Sequence, residues 1–141
     1  MIRTIVFPIA ILAAMVLPVL AQEQPEVDCA NAMTQSDLNI CASRDYQAAD
    51  EALNAVYRKA LTAAQETDRQ IREYDENAVG AVDALKKAQR AWIPYRDGQC
   101  AFAGFAARGG SMEPMLISGC LAELTAKRTE ELKATMEGLG N

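Results

Sequence analysis

Four cysteines (Cys29, Cys41, Cys100 and Cys120) and no histidine define what this chain can do chemically. Thiolates bind zinc, but zinc sites favour closely spaced C-x-x-C pairs or mixed Cys/His sets. Neither occurs here, so no metal and no cofactor are expected. An even number of cysteines in an exported chain reads instead as a disulfide framework. The other residues of chemical interest are polar side chains on or beside otherwise apolar helical seams: Asp50, Asn54, Gln89, Arg96 and Arg128. A carboxylate beside an arginine is held ionised, which makes it a poor general acid. It has no histidine, G-x-S-x-G turn or phosphate-binding loop to work with. Buried arginine and aspartate must pair or carry a large desolvation cost. These five residues therefore read as a structural polar network that fixes helix order, and the chain is not expected to be an enzyme.

The elements that must position these residues are helical. Alanine, leucine, glutamate and lysine dominate, and β-branched residues are scattered. Thr34 is placed to cap a first helix, with Asp37 three residues on. Leu38, Cys41/Ala42, Ala49, Leu53, Val56, Ala60 and Ala64 then recur at three- and four-residue steps, one face of a helix. Thr67-Asp68-Arg69-Gln70 resembles a second capping box, but the favoured turn lies at Asp75-Glu76-Asn77. A second helix carries Val82, Leu85, Gln89, Trp92, Arg96, Gln99/Cys100 and Ala103 and ends near Ala107, before Gly109-Gly110. A third opens with Ser111 as cap and Pro114 in its first turn, where a missing N–H costs nothing. It runs through Ile117, Cys120/Leu121, Leu124, Arg128 and Leu132 to about Met136. The expectation is an all-α fold: an antiparallel three-helix bundle, with the last two helices a hairpin, and two disulfides.

Ala88–Cys100, AQRAWIPYRDGQC, is the densest stretch and holds the only tryptophan. Trp92 falls on the apolar seam and is expected in the core. Pro94 deprives the Arg90 carbonyl of its helical donor, so a bend is expected there, absorbed on the solvent side.

Four cysteines allow three pairings, and helical geometry favours one. Cys100 lies about seven residues before the end of the second helix and Cys120 about nine after the cap of the third. At about 1.5 Å rise per residue they stand at nearly equal height in a hairpin. A disulfide needs Cα atoms about 5.5–6 Å apart, and Gly104 and Gly119 are small enough to allow that approach. Cys29 then pairs with Cys41 and ties the leader over the first helix. Each closed loop is expected to stabilise by about 3 kcal/mol.

The N-terminus reads as an export signal. Arg3 precedes an apolar run, Ile5–Leu20, and Val19-Leu20-Ala21 offers a cleavage site after Ala21. No cysteine follows that cut directly, which argues against a lipid anchor, and the run is short and proline-marked for a permanent span. Residues 22–141 then form a single helical domain, with its core at about residues 28–137, in the periplasm. The net charge is −5, against nucleic acid or anionic lipid as partner and compatible with a basic protein. Two surfaces are candidates for partner binding: the glycine-rich turn around Phe105, Met112 and Glu113, and the acidic turn at Glu73, Asp75 and Glu76.

Several ordered pieces together resemble the LprI-type lysozyme inhibitor family, whose shared domain was long of unknown function. They are Cys29 and Cys41; Ala49-Asp50, Leu53-Asn54 and Tyr57; Ala88-Gln89-Arg90-Ala91-Trp92; Tyr95-Arg96-Asp97; Cys100 and Cys120; and Thr125 with Arg128. The resemblance spans Asp28 to Leu132. It implies a helical, disulfide-braced exported domain that binds lysozyme. The competing expectation is a structural or stress-related envelope module without lysozyme contact.

Overall fold

The structure is a computed structural model that describes residues 27–139; the expected signal segment lies outside them. Three long helices form an up-down-up bundle: α1 (Gln35–Arg72), α2 (Ala81–Gly104) and α3 (Glu113–Leu139). Short 3-10 turns at Cys29–Asn31, Glu76–Ala78 and Phe105–Ala107 precede or link them. α1 and α3 run parallel. At one end the Gln35 amide reaches the Met115 sulfur and the Asn39 amide donates to the Ser111 carbonyl. Toward the other end, Leu53, Val56 and Ala60 share a buried cluster with Leu132. α2 is antiparallel to both.

α1 starts where the sequence places it, with the Thr34 hydroxyl accepting from the Asp37 N–H at 3.1 Å. It runs past the Thr67–Gln70 signal and turns at the favoured position. There the Asp75 carboxylate accepts from the Asn77 N–H and organises the 3-10 turn. Leu38, read as the first rung of the apolar stripe, is exposed, and burial along the stripe begins at Cys41. α2 is a single helix through Pro94. Pro94 and Arg90 are both exposed, so water can reach the carbonyl that lost its donor.

Two further expectations need correction. Ser111 does not cap α3: the first helical bond runs from the Leu116 N–H to the Met112 carbonyl, and Ser111 spends its own carbonyl on Asn39. Trp92 is half-buried, packed on the edge of the Leu53–Leu132 cluster with Tyr57, Leu85 and Met136. The deepest line of α3 is Thr125, Thr129 and Leu132: Leu132 lies on the seam read in the sequence, while Thr125 and Thr129 take the places expected of Leu124 and Arg128, one residue on. Thr129 donates its hydroxyl to the Thr125 carbonyl one turn back, which lets a nominally polar residue face α1 with its methyl group. Small side chains here let α1 and α3 form the most extensive pairing in the bundle.

Both disulfides form as helical geometry predicts. Cys29–Cys41 and Cys100–Cys120 have Cα separations of 5.6 and 5.4 Å. Gly104 permits the second: a Cβ there would stand 2.6 Å from Ile117 of α3. Gly119 plays no such part, since it is exposed and a Cβ on it would meet nothing within 4 Å.

Candidate interaction site

The five polar residues separate into two clusters. In the first, the Asp50 carboxylate on α1 accepts from the Asn54 amide one turn on, at 2.8 Å, and faces Arg96 of α2 at 3.5 Å. Arg96 is buried. Its guanidinium lies 5.0 Å from the Trp92 ring centre and 5.4 Å from that of Tyr46, and its Nε donates to Asp97 at 2.9 Å. The planar cation thus lies over two aromatic rings while the carboxylates of Asp50 and Asp97 neutralise it. Asp50 is not deeply buried, since 41% of its side chain is open to water. In the second cluster, Arg128 of α3 donates from Nε to the Gln89 side-chain Oε1 of α2 at 3.2 Å and pairs with Glu131 at 3.1 Å. One cluster ties α1 to α2, the other α2 to α3. Neither leaves a carboxylate facing a cavity with a second reactive group beside it.

Sequence reasoning missed a third polar tie. The Asp68 carboxylate accepts three backbone N–H groups from the start of α2: Gly80 at 2.9 Å, Ala81 at 2.7 Å and Val82 at 3.1 Å. The residue before α2 is Gly80, whose missing side chain cannot cap it. Asp68, twelve residues earlier on α1, supplies the acceptor instead. The bonds from Val82, Gly80 and Ala81 hold its pKa below the usual carboxylate value. The capping-box pattern at Thr67–Gln70 was the available signal, but the helix it caps belongs to another part of the chain.

The glycine-rich turn is latched rather than open. Glu113 accepts from the Gly109 N–H at 2.7 Å and pairs with Arg108 at 2.6 Å. Those contacts, the backbone N–H foremost, lower its pKa. Arg108 in turn stacks 4.7 Å from the Phe105 ring centre. Gly109 adopts φ 75°, a left-handed conformation that glycine takes at little cost. Phe105 and Met112 are exposed, while Glu113 is largely spent on the turn itself.

The acidic turn lies at the opposite end. Glu73 pairs with Arg69 at 2.8 Å, and Arg69 also holds Glu66, whose pKa falls to about 2 chiefly through its bond from Arg69. Asp75 and Glu76 are exposed, as is Tyr74 between Glu73 and Asp75. The length of α2, about 36 Å at 1.5 Å per residue, separates this turn from Phe105, Met112 and Glu113. The structure therefore does not bring the two candidate surfaces into one site.

What fold and polar ties together define is a helical domain braced by two disulfides, with Asp50–Arg96, Gln89–Arg128 and the Asp68 cap joining its helices. Residues 28–132 match the family described as lysozyme inhibitor LprI, and the chain belongs to that family. A curated relative from Rhizobium meliloti (strain 1021), named as an uncharacterized protein, is 63% identical over 119 residues, covering 84% of this chain and 86% of the relative. No solved structure matches. Among the described residues no helix is long and apolar enough to cross a membrane.

Proposed function

We propose that this protein is an exported, non-enzymatic binding domain that inhibits lysozyme from the periplasm. The observation that carries this reading is the family match across Asp28–Leu132, nearly the whole described domain. Charge supports it, since the net charge of −5 suits a basic target and opposite charge speeds encounter. The acidic corner at Glu73, Asp75 and Glu76, with Tyr74 exposed among them, is the proposed contact. It combines field and an aromatic anchor on one exposed turn.

The test is clearing of a cell-wall suspension by lysozyme with the protein in excess, at low and moderate salt. Inhibition is expected, weaker at higher salt because exposed charges are screened over about 8–10 Å. Replacing Glu73, Asp75 and Glu76 together by lysine is expected to weaken inhibition at least about tenfold. Unchanged clearing by the native protein overturns the function; full inhibition by the triple variant overturns only the contact. One observation favours the alternative of a structural or stress-related envelope module. Polar residues among those that carry the family resemblance bond one another, Asp50 to Arg96 and Gln89 to Arg128 across helices and Asn54 to Asp50 within α1, rather than forming an open surface.

A further inference from the structure

Two polar residues among those that carry the family resemblance take no part in tying helices together. Tyr57 of α1 packs its ring against the Leu53–Leu132 cluster, and Arg90 of α2 is exposed. Among the described residues neither side chain makes a hydrogen bond or an ion pair. The two meet in one place. A cleft of about 330 Å³ between α1 and α2 is lined by Asn54 and Tyr57 from the first helix and by Lys86, Gln89, Arg90 and Ile93 from the second. Lys86 is unpaired as well, and Asp83, one turn before it, does not reach it.

The bonding capacity left on that lining points to one kind of ligand. Gln89 gives its Oε1 to Arg128, which leaves its amide N–H groups without a partner. Asn54 gives an amide N–H to Asp50, which leaves its Oδ1. With Lys86, Arg90 and the Tyr57 hydroxyl, the cleft has two cations and two further donors, and no carboxylate lines it. In a chain of net charge −5 this is a local excess of positive charge. Lys86 and Arg90 stand four residues apart on one helix face, where like charges repel. An anion between them relieves that repulsion through charge-assisted bonds. The Asn54 Oδ1 and the Tyr57 oxygen can accept from hydroxyl groups. Ile93, 41% exposed, and the Tyr57 ring add an apolar wall. The volume is at the small end for ligand sites, with room for about one ring.

We propose that the cleft between α1 and α2 binds a sugar acid. Lys86 and Arg90 hold the carboxylate. Asn54, Gln89 and the Tyr57 hydroxyl take the ring hydroxyls, and the apolar face of the ring lies against Ile93 and the Tyr57 ring. A bare anion leaves the wall and the Asn54 oxygen unused, and a neutral sugar leaves two cations without a counter-charge. The inference does not rest on lysozyme binding, for which the acidic corner is the proposed contact. The cleft is open and its cations are exposed, so binding is weak, with a dissociation constant on the order of 1 mM.

Titration of the oxidised protein with glucuronate, followed by amide chemical shifts up to about ten times that concentration, is expected to saturate. The shifts should centre on Asn54–Tyr57 and Lys86–Ile93. Glucose and acetate each carry half of the ligand's chemistry and are expected to bind at least about tenfold more weakly. N-acetylmuramate is the second sugar acid. Tighter binding of it assigns the source to the cell wall, tighter binding of glucuronate assigns it to a uronic acid, and either supports the proposal. Arg90→Gln is expected to weaken glucuronate binding at least about tenfold and Tyr57→Phe about threefold. Lys127→Gln, which removes the same charge from an exposed position of α3 outside the cleft, should leave it unchanged. The Tm of Arg90→Gln should equal that of the native protein, since the side chain is exposed and unpaired. No saturable shifts with either sugar acid overturns the proposal. So does equal binding of glucose or acetate, or an Arg90→Gln variant that binds like the native protein. Loss of lysozyme inhibition in Arg90→Gln, with native protein that binds neither sugar acid, assigns the cleft to the protein partner and also overturns it.

Discussion

The two ends of the bundle are held together by different means. At the end where α1 and α3 begin, both disulfides, the Glu113 latch and the Asn39–Ser111 bond fix the chain. At the other end there is no disulfide. Asp68 caps α2 from α1, and Leu132 and Met136 pack against α1 and Leu85 beside an apolar cleft of about 370 Å³ lined with alanines. Cross-links constrain the first end even in the unfolded chain, whereas the second depends on hydrogen bonds and packing that exist only when folded. The stapled end should therefore resist denaturant and acid, and the open end should loosen first.

The largest test of that contrast removes a staple. Substituting Cys100 and Cys120 by alanine is expected to cost about 3–5 kcal/mol in urea unfolding. Substituting Cys29 and Cys41 is expected to cost less, about 2–3 kcal/mol. The loops differ little in length, but Cys100 is fully buried and also loses packing, whereas Cys29 is exposed. Equal losses would mean that burial at the α2–α3 contact adds nothing.

Next in size is Gly104→Ala, where the new methyl must displace Ile117. A loss of about 1–3 kcal/mol is expected, read from the same urea curves; no loss would show that α2 and α3 can part without consequence.

A pH test addresses the open end. The folded pKa of Asp68 is depressed by the three N–H groups it accepts. The unfolded chain therefore takes up that proton first as pH falls. The stability Asp68 contributes is complete above about pH 4 and is lost as the pH drops through the folded value. Asp68→Asn keeps one acceptor oxygen but sets an amide donor against the other N–H. It is expected to lower the Tm at neutral pH and to flatten the loss of Tm below about pH 4. Hydrogen exchange at the start of α2 should rise in the same variant. An acid profile identical to the native one would remove Asp68 from the account of this end.

The smallest effect is a gain. Gly119→Ala is expected to stabilise by up to about 1 kcal/mol, the helix-propensity difference, because nothing occupies the space its methyl enters. Measured beside Gly104→Ala, it separates a glycine that lets two helices touch from one that does not.

Much of this architecture was legible in the chain. The Thr34 cap, the Asp75 turn, the glycine pair after α2 and the heptad-like seams placed three helices, and helix rise paired Cys100 with Cys120, leaving Cys29 for Cys41. The candidate site was less legible. Glu113 looked like a free surface charge, yet it closes its own turn. Thr125 and Thr129 looked polar, yet they occupy the deepest line of α3: Thr129 satisfies its hydroxyl on the previous turn, whereas the buried Thr125 hydroxyl has no partner.

The sequence by itself determined the helices, the disulfide pairing and the acidic balance, since propensity, capping, rise and charge act over a few residues or need no partner geometry. Only the tertiary structure decided that Asp68 caps a helix on another segment, that Arg96 lies over the rings of Tyr46 and Trp92, and that Gly104 but not Gly119 meets its neighbour. Those outcomes depend on how two helices rotate and approach each other, and a helix's own periodicity leaves that rotation free within the width of its apolar stripe.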